Sequence, residues 1–358
     1  MEHEIKKESP EYLRMSLAAA MTLGFKQGLF YRNAKLYCIN LLLTYEEGCS
    51  ARCSYCGLSN KRPGAYADKS FIRVSWPSYS IHEIIDRIKE RPARVKRVCI
   101  SMVTRKRAVQ DTIDICTRIR TEVPNVPVSL LISPTVVSKE DLINFKKAGA
   151  DKIGVAVDLV TPELFDKYRG KDIGGPHKWA RYWECYAEAI DIFGVGNAGT
   201  HLITGMGETE KEMVAAIQKT KDMGGDTHLF SFFPENDSAM ADFPQPPMEQ
   251  YRRIQLARYL IDNNISSMNK MIFDKEEKII NFGISSEKVN EIIELGTPFC
   301  TSGCVGNDGI VACNRPYGNS RPGPDIRNYP FTPDERDILR IKAQMGLADP
   351  IYLNEDDD

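Results

Sequence analysis

The stretch VSLLISPTVVSKEDLINFKKAGADKIGVAVD, residues 128–158, decides the fold. It opens and closes on short apolar runs, and between them lie a Ser138 start signal and an amphipathic pattern of helical period. Strands buried on both faces read as continuous apolar runs, and strands that alternate with helices form parallel sheets. Working outward, the same alternation predicts strands at about 38–44, 96–102, 127–132, 152–157, 199–204 and 227–233. Helices are predicted at about 80–90, 109–122, 138–148, 178–193, 208–223 and 246–263. Six such units give an α/β fold, a partial (β/α)6 TIM-type barrel, with a doubly wound open sheet as the alternative. In either fold, function gathers at the C-terminal ends of the strands.

The flanks read differently. Leu13, Leu17, Met21 and Leu23 have near-helical spacing, so Glu11 to Gln27 is expected as an amphipathic helix on the outside of the barrel. After Asn264 the alternation stops. A short helix near 285–295 precedes a Gly-, Pro- and Asn-rich stretch from Gly296 to Pro330, and the chain ends on Glu355-Asp356-Asp357-Asp358, expected as a solvated tail. The expected organisation is a helical extension (1–34), the barrel (35–265) and an irregular C-terminal extension (266–358).

Apolar residues at 42% and charged residues at 27% of 358 are ordinary for a globular protein with a full core. The net charge of −2 gives no basic field to attract nucleic acid. No apolar run reaches the length of a membrane span, and no signal peptide is visible, so a cytoplasmic protein is expected. In that reducing compartment ten cysteines point to metal ligation or catalysis rather than disulfides. Six of them fall into two groups of three.

Cys49, Cys53 and Cys56 lie in GCSARCSYCGL (48–58), directly after the first barrel strand. Three thiolates hold three irons of a four-iron cluster and leave one iron open to substrate. Zinc is the competing reading, but it normally takes four protein ligands. This C-x3-C-x2-C spacing, with Tyr55 before the last cysteine, resembles the signature of the radical S-adenosylmethionine superfamily. The resemblance implies that the open iron chelates the methionine end of the cofactor, that reduction yields a 5′-deoxyadenosyl radical, and that Tyr55 touches the adenine.

Three further stretches are similar to family elements. GTHLITGMGETEKE (199–212) resembles a G-x-I-x-G-x-x-E pattern, which assigns Gly205 and Glu208 to the cofactor; an ordinary strand-to-helix turn is the alternative. Asp158, after KIGVAV, resembles the acidic residue that biotin-synthase-like members place on the ribose. ISMVT (100–104) stands where relatives carry Gly-Gly-Glu, so Ser101 or Thr104 is the candidate replacement. His201 and His228, inside strands, are expected as core histidines. The basic runs Arg91–Arg97 and Arg105–Arg107 are expected as solvated faces, with a docking surface for an acidic carrier as the alternative.

Cys300, Cys304 and Cys313 lie in FCTSGCVGNDGIVACNRPYGNSRPG (299–323), where spacings of four and nine let the chain wrap one auxiliary cluster, or a structural zinc. Ser302, Ser320 and Arg315 are candidate fourth ligands. Taken with AKLYCINLLLTYEEGCSARCSYCGLS (34–59), this segment resembles the archaeal-type split lipoyl synthase. That resemblance implies two 4Fe-4S clusters and S-adenosyl-L-methionine, with the second cluster donating sulfur to C6 or C8 of a protein-bound octanoyl chain. The implied partners are an octanoylated lipoyl-domain or carrier protein, a second related radical enzyme subunit and an electron donor such as ferredoxin, with no nucleic acid and no membrane. The remaining alternatives are a biotin-synthase-like or hydrogenase-maturase-like enzyme acting on a small molecule, or an iron–sulfur carrier.

Overall fold

The computed structural model describes residues 6–32, 34–318, 323 and 325–347. In chain order its elements are β1 (Tyr12–Met15), α1 (Leu17–Thr22), β2 (Cys38–Leu43), β3 (Ser78–Ser80), α2 (Ile81–Glu90), β4 (Arg97–Ser101), α3 (Arg107–Glu122), β5 (Val128–Ile132), α4 (Lys139–Lys147), β6 (Ala150–Asp158), α5 (Pro162–Tyr168), α6 (Trp179–Phe193), β7 (Ala198–Thr204), α7 (Glu210–Asp222), β8 (Asp226–Ser231) and α8 (Met248–Asp262). A small ribbon of β9 (Ile272–Phe273) and β10 (Ile279–Asn281) follows, then α9 (Ser286–Glu294) and α10 (Glu335–Gln344). No helix among the described residues is long and apolar enough to cross a membrane.

Six strands, β2, β4, β5, β6, β7 and β8, pair in parallel in that order. β1 and β3 extend the β2 edge, giving one eight-stranded sheet of order β3-β1-β2-β4-β5-β6-β7-β8. β3 and β8 stand at opposite edges, so the barrel is partial. All six residues of β2 and all five of β4 are buried, because one face meets the helices and the other the barrel interior. Capping boxes at Ser80/Glu83, Ser138/Asp141 and Thr209/Glu212 start α2, α4 and α7 where the strands hand the chain over.

The N-terminal helix expected over Glu11 to Gln27 is not formed as such. Its first half is β1, with Leu13 opposite Leu43 and Met15 opposite Leu41, and only Leu17–Thr22 is helical. Pairing the open edge of β2 outweighed the helical spacing. Arg14, 1% exposed, reaches from β1 into the following loop. Its guanidinium donates to the carbonyls of Trp76 (2.9 Å), Tyr66 (3.0 Å) and Lys69. Arg14→Leu takes the donor from the Trp76 and Lys69 carbonyls, while that of Tyr66 keeps the Lys69 N–H (3.2 Å), and should cost at least about 2 kcal/mol, read as a lower urea midpoint.

The irregular extension crosses the N-terminal mouth of the barrel. Tyr37, before β2, donates its N–H to the Ala312 carbonyl (3.3 Å), and Arg97 at the start of β4 donates Nε to Val305 (2.7 Å). Asn307 reaches the Asn125 carbonyl ahead of β5, and Ser302 Oγ accepts from the Leu229 N–H in β8. The acidic tail lies outside the described residues.

Candidate active site

The loop after β2 carries Cys49, Cys53 and Cys56, and all three line one cavity of about 670 Å³ at the C-terminal ends of the strands. Backbone amides already point at the sulfurs. Cys49 Sγ receives the N–H of Ala51 (3.5 Å) and Thr104 (3.4 Å), and Cys56 Sγ receives that of Leu58 (3.4 Å). Sulfur ligands of iron–sulfur clusters are tuned by such donors. Burial pushes the Cys53 thiol up to about 11 and raises that of Cys56 well above the ordinary thiol value. Thiols this reluctant to ionise become thiolates when a metal supplies the charge. Among the described residues no three His, Cys, Asp or Glu side chains are placed to hold a single metal ion. The soft, incomplete donor set therefore fits a multi-iron cluster with an open position better than a closed zinc site.

Tyr55, Ser101, Thr104 and Asp158 line the same cavity. Asp158 ends β6 with φ at 66° and accepts hydrogen bonds from Tyr55 Oη (2.6 Å) and Arg169 Nη1 (2.8 Å). Burial raises its carboxyl above the usual range, while the guanidinium and the phenol pull it back. Arg169 was not singled out in the sequence, where it lies eleven positions from its partner. It also caps the carbonyls of Ala156 (2.6 Å) and Val157 (3.0 Å) and touches Tyr182 Oη (3.0 Å). Tyr182 and Thr135 hold His177, whose imidazole is lowered to about 2 by burial and the nearby guanidinium. His177 is thus a neutral wall of the cavity.

Gly205 and Glu208 sit apart from the lining of this cavity. Glu208 accepts from the N–H groups of Gly205 (2.6 Å) and Met206 (2.9 Å), closing the turn before α7, and burial pushes its carboxyl up to about 7. Gly205 has φ of +103°, and a Cβ there would come within 2.5 Å of Pro246. Gly205→Ala should cost about 1–3 kcal/mol or more in a denaturant titration.

A second cavity, about 820 Å³, shares Tyr55, Cys56, Phe71, Leu131, Ala156 and Asp158 with the first and runs to His201, Phe230 and Arg315. His201 lines this cavity, and its ring centroid lies 5.1 Å from that of His228. Burial lowers His201, whereas at His228 burial is opposed by Cys304, the Ser302 carbonyl and Cys313, which together lift it to about 8. The second cysteine triplet is split. Cys304 Sγ lies 3.8 Å from His228 Nε2, and Cys313 Sγ lies 3.3 Å from Asn40 Nδ2. Cys300 Sγ lies against the carbonyls of Gly296 (3.7 Å) and Phe331 (3.5 Å), facing Arg258, Arg252 and Asp337. Ser302 is spent on β8, Arg315 faces Cys313 and Cys99, and Ser320 lies outside the described residues.

The basic runs are solvated in part, with Arg94, Lys106 and Arg107 exposed. Arg97 is 1% exposed and forks onto Asp151, Arg105 donates to the carbonyls of Gly48 and Glu47, and Arg107 pairs with Glu8 and Asp111.

Among curated proteins none matches the chain. A solved methylornithine synthase superposes with a TM-score of 0.49 at 12% identity, over 68% of this chain and 66% of that one. A maturase of the FeFe-hydrogenase gives 0.51 at 13% identity, over 68% of this chain and 53% of its own length. The same maturase from Carboxydothermus hydrogenoformans gives 0.48 at 15%, over 69% and 56%. At such identities the likeness concerns the fold, and the chain spans only about half to two thirds of these proteins. Residues 45–220 match the family model described as the Radical SAM superfamily.

Proposed function

We propose, on the match of residues 45–220 to the Radical SAM superfamily, that this enzyme inserts sulfur into a protein-bound octanoyl chain as one component of a lipoyl synthase. The observation that carries the reading is the 820 Å³ cavity, which touches Cys56 at one end and Arg315, beside Cys313, at the other. Beside the charged Arg73, Asp158, Glu235 and Arg315, its wall includes Phe71, Ile72, Leu131, Ile203, Phe230 and Phe232, an apolar stretch suited to a run of methylenes. Cys49, Cys53 and Cys56 would hold a 4Fe-4S cluster that, when bound, binds S-adenosylmethionine and delivers the electron that cleaves its sulfonium.

This chain's residues supply position and dryness. The pair Tyr55 and Asp158, braced by Arg169, forms a polar rim where a ribose and adenine would meet the protein. The phenylalanines exclude water, which protects a reactive carbon from quenching. Hydrogen abstraction from an unactivated methylene lies beyond any acid–base group at neutral pH, so none of the buried carboxyls is assigned that task. An octanoylated carrier protein, a related second subunit and a reducing partner complete the proposal.

The test is anaerobic reconstitution with iron and sulfide, followed by dithionite, S-adenosylmethionine and an octanoyl-lysine peptide, with mass spectrometry. The expected products are thiolated peptide and 5′-deoxyadenosine. Deoxyadenosine without thiolated peptide would refute sulfur insertion in favour of another substrate. Absence of both from iron-loaded protein would point to a carrier.

A further inference from the structure

We propose that the second iron–sulfur centre is held by Cys38 and Cys99 from the barrel strands together with Cys304 and Cys313 from the extension, and that Cys300 is not a ligand. This rests on the reading above in taking the second thiol group to hold iron and sulfide.

Strand geometry puts the first two thiols in place. Side chains two apart on a strand share a face, so Cys38 goes with Asn40, and Cys99 with Ser101. Asn40 pairs with Cys99 across β2 and β4. Ser101 lines the first cavity, so this shared face is the barrel interior. The extension delivers the other two. Ala312 and Cys313 donate their N–H groups to the Cys304 carbonyl (3.0 and 3.3 Å), and Tyr37 is bonded to Ala312 beside Cys38. Gly303 packs so tightly on Cys313 that a Cβ would sit 1.8 Å from its carbonyl oxygen. Only glycine permits that approach.

Asn40 ties the halves together. Its Nδ2 lies 3.6 Å from Cys38 Sγ and 3.3 Å from Cys313 Sγ, so one amide addresses a strand thiol and an extension thiol. Asn40 is 2% exposed, and its Oδ1 is buried with no partner. Native proteins rarely leave such an atom orphaned, and here it belongs to the same amide whose Nδ2 contacts two sulfurs. The composition of the floor agrees. Barrel interiors are normally filled by Val, Ile and Leu. This one carries Asn40, Cys99 and Ser129 in register across β2, β4 and β5, and Gly154 opposite Gly199, where a Cβ would come 3.3 Å from His201 Nε2 or 3.4 Å from His228 Nε2.

Charge points the same way. Several buried thiolates need cations nearby. Arg315, held at a positive φ of 43°, faces Cys313 and Cys99, and Arg97 and His228 stand near Cys304. Cys300, by contrast, has its sulfur against the carbonyls of Gly296 (3.7 Å) and Phe331 (3.5 Å). The four converging sulfurs do not close on a single ion. A multi-iron cluster, which spreads its ligands around a larger body, is the fitting occupant.

The test uses the full chain with Cys49, Cys53 and Cys56 changed to alanine, reconstituted anaerobically with iron and sulfide. This background should keep one cluster, seen as iron per chain and as an electron paramagnetic resonance signal after dithionite. Serine at position 38, 99, 304 or 313 should each remove at least about half of that iron, or shift the signal with iron retained, because an oxygen has replaced a sulfur ligand. Cys300→Ser should leave both unchanged. Should Cys38→Ser not fold, Cys38→Ala, which buries no hydroxyl, gives the same reading. Loss of iron from Cys300→Ser, unchanged iron and signal in Cys38→Ser and Cys99→Ser, or a background that binds no iron would overturn the assignment. Iron behaving as expected while the wild type makes no thiolated peptide would sink the lipoyl reading and leave this assignment standing.

Discussion

Changing Cys49, Cys53 or Cys56 to alanine is expected to bring 5′-deoxyadenosine formation below detection and to remove about four irons per chain. All three thiols line one cavity, which holds no further cysteine. Acid–base groups offer no detour, because homolysis of a sulfonium needs an electron rather than a proton. The controls are Cys116→Ala in α3 and Cys185→Ala in α6, both fully buried among helices. They should keep iron and turnover with at most a modest loss of stability, since alanine is close to cysteine in volume. Iron content by colorimetry and deoxyadenosine by chromatography decide the matter. Full turnover in any of the three triad variants would refute the assignment of this loop.

Arg169→Leu is expected to destabilise the fold by about 3–5 kcal/mol, the largest effect of any substitution away from the thiols. The guanidinium is 5% exposed and pairs with an Asp158 side chain that is 14% exposed. It also satisfies two carbonyls where the β6 pairing becomes irregular near Asp158. Leucine would strand a carboxylate at a strained backbone position and take a donor from the Ala156 carbonyl, while that of Val157 keeps the Leu159 N–H (2.8 Å). The double variant with Asp158→Asn should recover part of the loss, with a coupling of about 0.5–3 kcal/mol in urea titrations. The pH dependence has a definite sign. Without Arg169 the Asp158 carboxyl, already raised by burial, rises further, so the folded state holds its proton more tightly than the unfolded chain. Stability of Arg169→Leu should therefore fall with increasing pH across that raised value, relative to wild type. Two independent, additive effects would show that the pair is not coupled.

Much of the barrel was visible in the chain because buried parallel strands leave an unmistakable trace. The expected strands at 38–44, 127–132 and 199–204 lie within a residue of β2, β5 and β7. The start of the chain misled because Leu13 and Met15 serve a strand as well as a helix, and only the free edge of β2 decides between them. α10 escaped notice. Its signal is the Asp334/Asp337 box, and Asp337 also binds Arg32, some 305 positions earlier. In the site, spacing alone brings out the loop triad, since its three cysteines are near neighbours in sequence. Cys38 and Cys99 look like ordinary core cysteines, and nothing local ties them to the extension. Arg169 and His177 acquire meaning only from the partners that β6 and α6 bring to them. Glu208 fits a family pattern by position, yet its two short amide contacts give it the work of holding a turn.

The segment across the N-terminal mouth also constrains the order of events during synthesis. Residues 300–313 leave the ribosome after every barrel strand has been made, so the nascent barrel stands with its base open until the very end. The late-arriving stretch then covers that base through the Tyr37–Ala312 and Arg97–Val305 hydrogen bonds.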